Sequence, residues 1–249
     1  MNENGVFFNF EELRSNGTNE YVCWIDMMGT KNAYSISPNK ASIFMAKFHV
    51  AILEATQTFI GKIHLYPVMD GIYITANKLD VMISVLQSIL EFLANTFVHS
   101  NDPSKQFLVK GGLAFGTVWH GYKITGKSSR IFDSTQENKK YKEKILLGNP
   151  LAVANSVEKL APPFCVYLDK SVGLSKGEYS QVHKKWLLWD MNKINGGKDN
   201  FVAQMENYFT YAKDNSYFLE YKEEEIRKHK KLFQELIFQI DNYKFNKEA

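Results

Sequence analysis

The order of apolar segments limits this chain to few folds. Residues 21–28 form an apolar, β-prone run, and residues 40–59 repeat apolar side chains at helical spacing. Residues 63–76 contain two short β-prone runs around an Asp-Gly dipeptide, which is typical of a hairpin. Residues 78–99 have one long apolar face, and residues 107–119 form a further strand. This order, βαββαβ, is the split βαβ or ferredoxin-like pattern, and it predicts a mixed α+β domain.

The second half of the chain adds less regular segments. Residues 122–144 are polar and rich in lysine, and we expect a loop or an inserted arm there. Residues 149–160 predict a third helix that an Ala-Pro-Pro sequence ends. Residues 164–168 and 186–189 predict further strands.

The chain ends in a helix-prone, strongly charged segment. We therefore divide it into an N-terminal segment (residues 1–19), a domain (20–195) and a C-terminal helical extension (196–249). The run KEEEIRKHKK predicts the solvated face of a helix that lies against the domain or against a sister subunit. The opposite face is marked by an apolar stripe of Leu232, Phe233, Leu236, Ile237 and Ile240.

The composition is that of a globular protein with a sizeable core. Of 249 residues, 45% are hydrophobic and 14% are aromatic. The formal net charge is only +3, and basic and acidic residues interleave, so we expect no nucleic-acid partner. No apolar run approaches the roughly 18 to 20 residues that span a bilayer, and the first residues lack a signal-peptide pattern, so we expect a cytoplasmic protein with no membrane partner. Cys23 and Cys165 lie in apolar runs without CxxC spacing, which predicts two reduced core thiols and no zinc ligand.

Two aspartates interrupt the apolar, β-prone runs. Asp26 ends the first strand, and Asp70 lies near the tip of the hairpin. In a ferredoxin-like sheet these positions are adjacent on central strands, where two carboxylates repel each other unless a cation lies between them. Hard cations such as Mg²⁺ and Mn²⁺ take oxygen ligands and keep positions for water or substrate phosphates. The pattern predicts a two-metal site for a nucleoside triphosphate, and two ordinary turn aspartates are the alternative.

Four segments resemble those of a known family. The runs CWIDMMGTKN (23–32) and YPVMDGIYI (66–74) resemble the two metal motifs of class III nucleotidyl cyclases. The run VKGGLAFGTVWHG (109–121) is similar to their Arg-Val-Gly-Ile-His-x-Gly strand. The run LLGNPLAVANSVEKL (146–160) is similar to their Gly-Asn-x-Val-Asn-x-Ala-x-Arg-x-Glu helix. The four occur in the family's order, which implies a ferredoxin-like class III cyclase catalytic domain over about residues 20 to 170.

The base-reading positions resemble those of a bacterial subgroup, the pyrimidine cyclases of the Pycsar antiphage system. Purine cyclases place a lysine or a glutamate four positions before the second metal aspartate, where this chain has Tyr66. A tyrosine can stack on a small ring or hydrogen-bond to it, although a strand aromatic in the core is the other interpretation. The second base-reading position is Ile145, where adenylyl cyclases have an aspartate. Both departures argue against an ATP cyclase.

The resemblance also implies a metal site with two Mn²⁺ or Mg²⁺ ions. Asp26 and Asp70 would be the catalytic residues and would bind both ions. The backbone carbonyl of Met27 would complete one of the two coordination shells.

Further residues would bind the nucleotide. The backbone amides of Met28, Gly29 and Thr30 lie where the family cradles the triphosphate. Lys110 matches the family arginine that contacts phosphate, and an exposed strand lysine is the alternative. Trp24 either lines the nucleotide pocket or packs in the core.

The third helix departs from the family pattern. Ala152 and Ser156 occupy the positions of the asparagine that binds ribose and of the arginine that stabilises the transition state. Neither side chain can do that chemistry. Either Asn155 or a basic residue such as Arg130 of the inserted arm replaces them, or the site is catalytically weak.

The implied reaction converts UTP or CTP into a 3′,5′-cyclic mononucleotide and pyrophosphate. The family builds its sites across a homodimer, so Asp26 and Asp70 of one chain would face Tyr66 of the other. The product would switch on a separately encoded effector in antiphage defence. UTP is favoured because uridylate cyclases predominate among the relatives, and a cytidylate cyclase is the close alternative. A purine cyclase and a catalytically degenerate binding module compete with this interpretation. The lack of a GGDEF-like sequence argues against a diguanylate cyclase, and the interleaved charges argue against a nucleic-acid polymerase palm.

Overall fold

The computed structural model describes residues 16–29, 37–124, 129–174, 182–183, 185–219 and 221–243. The first half of the chain forms β1 (Thr18–Met27), α1 (Pro38–Thr56), β2 (Ile63–Val68), β3 (Gly71–Ala76), α2 (Leu79–His99) and β4 (Val109–His120). The second half forms α3 (Ser129–Phe132), α4 (Gln136–Glu143), β5 (Leu146–Leu147), α5 (Asn149–Glu158), β6 (Val166–Leu168), β7 (Val182–His183), β8 (Trp186–Leu187), α6 (Gly197–Asp214), α7 (Ser216–Leu219) and α8 (Glu223–Asn242).

One sheet joins the strands in the order β2-β3-β1-β4-β6-β8-β7, and β5 pairs with the far end of β4. Neighbouring strands are antiparallel, except that β4 and β6 are parallel. The first four strands in this order, connected by α1, a hairpin and α2, are the ferredoxin-like arrangement. The predicted mixed α+β, ferredoxin-like (βαββαβ) fold with a C-terminal helical extension is therefore confirmed.

Helices α1 and α2 cover one face of the sheet. Helix α1 begins at a capped turn, where the Ser37 side chain accepts a 3.4 Å hydrogen bond from the Lys40 amide. Helix α2 presents a fully buried stripe that includes Leu86, Ile89 and Leu93. Among the described residues, it is the one helix long and apolar enough to cross a membrane, so the expectation that no apolar run has that length is wrong. Of its apolar window, 56% is buried inside the protein. Helix α2 thus packs in the way that a central core helix does.

Helix α5 packs on the opposite face of the sheet, where a glycine allows its close approach. A Cβ atom at Gly112 would lie 2.1 Å from the carbonyl oxygen of Ala154, so this contact requires glycine. Trp24, Ala114 and Ala154 form a small buried cluster beside it. The contact fixes α5 over β1 and β4 and determines where the C-terminal end of α5 lies.

The C-terminal helices belong to the main hydrophobic core. Phe201 and Phe209 of α6 and Phe233 of α8 are buried in the same cluster as residues of β1 and α2. The Phe201 ring packs edge-on against Phe164, with ring centroids 5.1 Å apart. Of the two predicted placements of the extension, packing against its own domain is the one observed.

The inserted arm contains more structure than its polar sequence indicates. The expected loop at residues 122–144 includes the short helices α3 and α4. Helix α4 is capped by the Thr135 side chain, which accepts a 3.1 Å hydrogen bond from the Asn138 amide. The sequence signal for α4 is its capping residue, because the helix has no apolar face. Hydrophobic periodicity therefore does not predict this helix.

The last predicted strands are shorter than expected. The strand at residues 164–168 begins only at Val166, because Phe164 has a φ of 55° that is incompatible with an extended chain. The strand at residues 186–189 ends at Leu187. Both cysteines are free and buried, as predicted.

Candidate functional site

Asp26 and Asp70 meet at the C-terminal end of β1. Asp26 lies opposite Gly71 in the β1–β3 pair. The Met27 amide donates a 3.1 Å hydrogen bond to the backbone carbonyl of Asp70, which ties the hairpin to the end of β1. Met69 and Asp70 form the two-residue hairpin turn, and Met69 has the positive φ, 49°, that such turns need. The fold thus brings the two aspartates together, as the sequence predicted.

Asp26 is half-buried among other charged groups. Burial raises the pKa of its carboxyl from 3.8 to about 7, and the carboxylates of Asp70 and Glu158 add to the increase. The Lys110 ammonium and the Met27 amide act in the opposite direction. The net effect of these neighbours and of burial is that the ionised form of Asp26 is disfavoured at this end of the sheet. A bound cation would supply positive charge and keep Asp26 ionised.

Lys110 lies directly opposite Asp26 on β4. Its ammonium forms a 3.1 Å ion pair with Glu158 at the end of α5, and the two side chains are only 13% and 7% exposed. An ion pair with so little exposure holds both side chains in one geometry. Lys110 is therefore not the exposed strand lysine of the alternative interpretation.

A cavity of about 370 Å³ opens beside Asp26 and Lys110, a size within the range of small-molecule sites. The end of β1, the start of α1, the start of β4, the end of α5 and the C-terminal helices form its walls. The polar groups that line it include Lys40, Glu158, Tyr211, Tyr221 and His229.

The predicted phosphate cradle is also at this cavity. Met27, Met28 and Gly29 line it, and Gly29 has a φ of 79° that favours glycine at the end of β1. The Met28 amide already donates a 2.9 Å hydrogen bond to the carbonyl of Leu108. Thr30 lies outside the described residues.

Trp24 and Tyr66 lie on the sheet face that also carries the Asp26 side chain, but they do not line the cavity. The Trp24 ring is buried and packs on Tyr73, with ring centroids 4.4 Å apart. Tyr73 in turn lies opposite Tyr66 in the hairpin. Within one chain, these aromatic residues form a packed row that leads away from Asp26.

The Tyr66 hydroxyl ends a chain of buried polar groups. It lies 2.5 Å from Nδ1 of His120, and Nε2 of His120 donates a 2.9 Å hydrogen bond to Glu20. Burial acts to raise the pKa of Glu20, but hydrogen bonds from His120 and Thr18 hold it at about 2. The three side chains are at most 8% exposed, so the orientation of the Tyr66 ring is fixed.

Ile145 lies near the same chain of hydrogen bonds. Its carbonyl accepts a 2.8 Å hydrogen bond from the amide of Gly121, which follows His120. The two predicted base-reading positions, Tyr66 and Ile145, are therefore both adjacent to the C-terminal end of β4, although they are far apart in the sequence.

No predicted replacement for the family asparagine and arginine reaches the cavity. Ala152, Asn155 and Ser156 are exposed on α5, and Arg130 is exposed on α3. Within the described parts of the chain, none of these four lines the cavity.

Sequence reasoning missed three residues of the site. Glu158 lies within the third-helix motif, but its role as the partner of Lys110 depends on how α5 crosses the sheet. Tyr221 and His229 come from the charged C-terminal segment, where His229 is buried rather than solvated. A signal for His229 was present, because Ile226, His229 and Phe233 recur at helical spacing on one buried face of α8.

The donor atoms at Asp26 and Asp70 fit a hard divalent cation. In the described segments no three His, Cys, Asp or Glu side chains converge on a common metal position. Magnesium sites typically use one or two protein carboxylates and complete the shell with water and substrate phosphates. Asp26 and Met27 line the cavity, and Asp70 lies next to them in the hairpin turn although it is not among the lining residues. Asp26, Asp70 and the Met27 carbonyl would hold the ion.

No protein-family model matches this chain, and no curated protein matches it. Its backbone is similar to that of solved adenylyl and guanylyl cyclases. A bacterial light-regulated adenylyl cyclase has a TM-score of 0.47 and 14% identity, over 63% of this chain and 44% of that one. The guanylyl cyclase domain of the RhoGC fusion protein from Blastocladiella emersonii has a TM-score of 0.44 and 12% identity, over 61% of this chain and 81% of that one. Adenylate cyclases from Trypanosoma brucei, in their monomeric state, have a TM-score of 0.46 and 14% identity, over 66% of this chain and 78% of that one.

Proposed function

We propose that this protein is a pyrimidine nucleotide cyclase that converts UTP into 3′,5′-cyclic UMP and pyrophosphate. The observation that carries the proposal is the meeting of Asp26 and Asp70 at the end of β1, beside a cavity that Asp26 and Lys110 line. Such a pair of carboxylates can bind the cations that hold a triphosphate. Without cations, the two like charges destabilise the folded protein.

The reaction is an internal phosphoryl transfer. The ribose 3′-oxygen forms a bond to the α-phosphorus while the bond from that phosphorus to the bridging oxygen breaks, and pyrophosphate leaves. The hydroxyl proton passes to solvent. Divalent cations, when bound, lower the pKa of the hydroxyl and neutralise charge on the phosphates. The Lys110 ammonium, held by Glu158, lies where it can contact a phosphate oxygen.

The base preference is assigned to Tyr66. The contact with His120 fixes its ring, and a fixed tyrosine at the end of β4 where the apolar Ile145 also lies suits a small ring better than a purine edge. Because Tyr66 lies away from the cavity of its own chain, the proposal includes a homodimer in which Tyr66 completes the partner's site. The cyclic nucleotide would act as a messenger for a separate effector in antiphage defence, and CTP is the alternative substrate.

A catalytically degenerate nucleotide-binding module is the second candidate. It is favoured by the exposed Ala152 and Ser156, which stand where the cyclase pattern has asparagine and arginine. The two candidates differ in turnover and share nucleotide binding.

The test is incubation of the purified protein with each of the four ribonucleoside triphosphates and Mn²⁺, followed by mass spectrometry of the products. We expect cyclic UMP as the main product, and replacement Tyr66→Phe should change the ratio of pyrimidine to purine products. The matched control is Tyr141→Phe, at a tyrosine that is 64% exposed, and its product ratio should equal that of the wild type. A purine product from the wild type would overturn the base assignment, and binding without any product would favour the degenerate module.

A further inference from the structure

The C-terminal extension forms one wall of the cavity at Asp26. Tyr208 and Tyr211 of α6, Leu219 of α7, and Tyr221 and His229 from the segment that includes α8 all line it. These helices are buried in the main core, as the contact of Phe201 with Phe164 illustrates, so the wall is fixed in place.

Tyr221 and His229 form a hydrogen-bonded pair within this wall. The Tyr221 hydroxyl lies 2.5 Å from Nδ1 of His229. Burial, together with the positive charges of Lys110 and Lys228, lowers the pKa of His229 to about 4, so its imidazole is neutral at pH 7. Burial also raises the pKa of Tyr221, which keeps its hydroxyl protonated. A neutral imidazole carries one proton, and in the tautomer in which the Tyr221 hydroxyl donates to Nδ1 that proton lies on Nε2.

The His229 side chain lines the cavity, and its Nε2 atom has no hydrogen-bond partner among the described residues. The imidazole is close enough to Lys110 for the ammonium to influence its pKa. In that tautomer two groups that can only donate hydrogen bonds, the His229 N–H and the Lys110 ammonium, belong to the lining of one cavity, together with the carboxyls of Asp26, Glu158 and Glu225.

We propose that the C-terminal extension completes the substrate cavity, and that Nε2–H of His229 donates a hydrogen bond to a phosphate oxygen of the nucleotide, next to Lys110. This inference rests on the proposed function, because the cyclase reaction places a triphosphate beside Asp26. His229 is then a binding residue that the chain supplies from its own C-terminal helix. Tyr221 is a positioning residue, because it sets the tautomer that exposes a donor.

The first test needs no substitution. The imidazole nitrogens of the full-length, ¹⁵N-labelled protein are observed by NMR during titration with magnesium pyrophosphate, UTP or uridine. Pyrophosphate and UTP should both shift the His229 Nε2 signal, and uridine should leave it unchanged. A shift with uridine alone would overturn the proposal, because the contact would then be to the base or the ribose.

The second test measures the affinity for pyrophosphate by calorimetry. His229→Phe keeps an aromatic ring and removes the donor, so we expect roughly 10- to 100-fold weaker binding, as for the loss of a hydrogen bond to a charged group. His229→Gln restores an N–H donor and should recover part of the affinity. Tyr221→Phe should weaken binding less than His229→Phe does. The matched control is His99→Gln, at an exposed histidine at the end of α2, and it should bind as the wild type does.

The outcomes separate this inference from the proposed function. Production of cyclic nucleotide with an unmoved His229 signal would overturn the inference and leave the cyclase assignment intact. A pyrophosphate-induced shift that His229→Phe weakens, without a cyclic product from any triphosphate, would support the phosphate contact and contradict the cyclase assignment. Equal affinity of His229→Phe and the wild type, with the fold confirmed by circular dichroism, would also overturn the inference.

Discussion

Replacing Asp26 with asparagine should make the metal-free protein more stable at neutral pH. Burial and the nearby carboxylates raise the pKa of Asp26 from 3.8 to about 7. At about 1.36 kcal/mol per unit, this shift of about three units corresponds to about 4 kcal/mol at most, and since Asp26 is half-buried we expect about 2 to 4 kcal/mol. Asparagine keeps the shape of the side chain and has no charge to destabilise the fold.

The sign follows from the direction of the shift. Below pH 3.8 the carboxyl is protonated in both the folded and the unfolded chain, so it contributes nothing to the pH dependence. Between pH 3.8 and about 7 the unfolded chain releases the proton more readily than the folded one, and stability falls as the pH rises. Above about pH 7 the loss is complete, so the difference between the asparagine variant and the wild type should be largest there.

Urea unfolding in the presence of EDTA, at pH 4 and pH 8, measures this difference. Asp26→Asn should gain stability relative to the wild type at pH 8 and little at pH 4. Added Mn²⁺ should stabilise the wild type by about 2.7 kcal/mol at 100 times its dissociation constant, and it should stabilise Asp26→Asn much less. The control is Asp214→Asn, at an exposed position in the last turn of α6, which should follow the wild type. The same free-energy difference at both pH values would refute this account of Asp26.

Two further substitutions test the framework of the site. Gly112→Ala should destabilise the fold by about 1 to 3 kcal/mol, as overpacking does, because its Cβ would lie 2.1 Å from the Ala154 carbonyl oxygen. The substitution should also lower turnover, because it moves α5 and with it Glu158. Urea unfolding and the cyclase assay measure the two effects, and wild-type values for Gly112→Ala in both would contradict the packing of α5. Glu20→Gln should cost about 3 kcal/mol at pH 7, because the folded pKa of Glu20 is about 2, below its ordinary value of 4.5. Thermal unfolding across pH should show this cost in full above pH 4.5 and declining toward pH 2, and a cost independent of pH would exclude the ionised Glu20–His120 contact.

The sequence predicted the ferredoxin-like core because its elements have strong local signals. Helix α2 has a long apolar stripe at helical spacing, and the turn at Asp70 lies between two β-prone runs. Both signals depend on residues near each other in the chain. The meeting of Asp26 with Asp70 followed from the strand order that this pattern implies.

The rest of the site could not be predicted, because it depends on contacts between distant segments. Glu158 reaches Lys110 only because Gly112 lets α5 lie close to the sheet. His229 shares helical spacing with Ile226 and Phe233, but only the packing of α8 against the core shows that this face of the helix reaches the cavity. The hydrogen bond from Tyr66 to His120 joins two strands that are not neighbours in the sheet, so strand order alone does not indicate it.

The most direct test of the central claim, that Asp26 and Asp70 serve cyclisation, is the product balance of the reaction. Wild type, Asp70→Asn and the control Asp214→Asn are incubated with UTP, and separately with CTP, in the presence of Mn²⁺, and cyclic nucleotide and pyrophosphate are quantified. The account predicts equal amounts of the two products from the wild type and the control, and a loss of at least about 100-fold in Asp70→Asn, as for the removal of a group that stabilises charge in a transition state. Undiminished activity of Asp70→Asn, or triphosphate consumption without cyclic nucleotide, would contradict it.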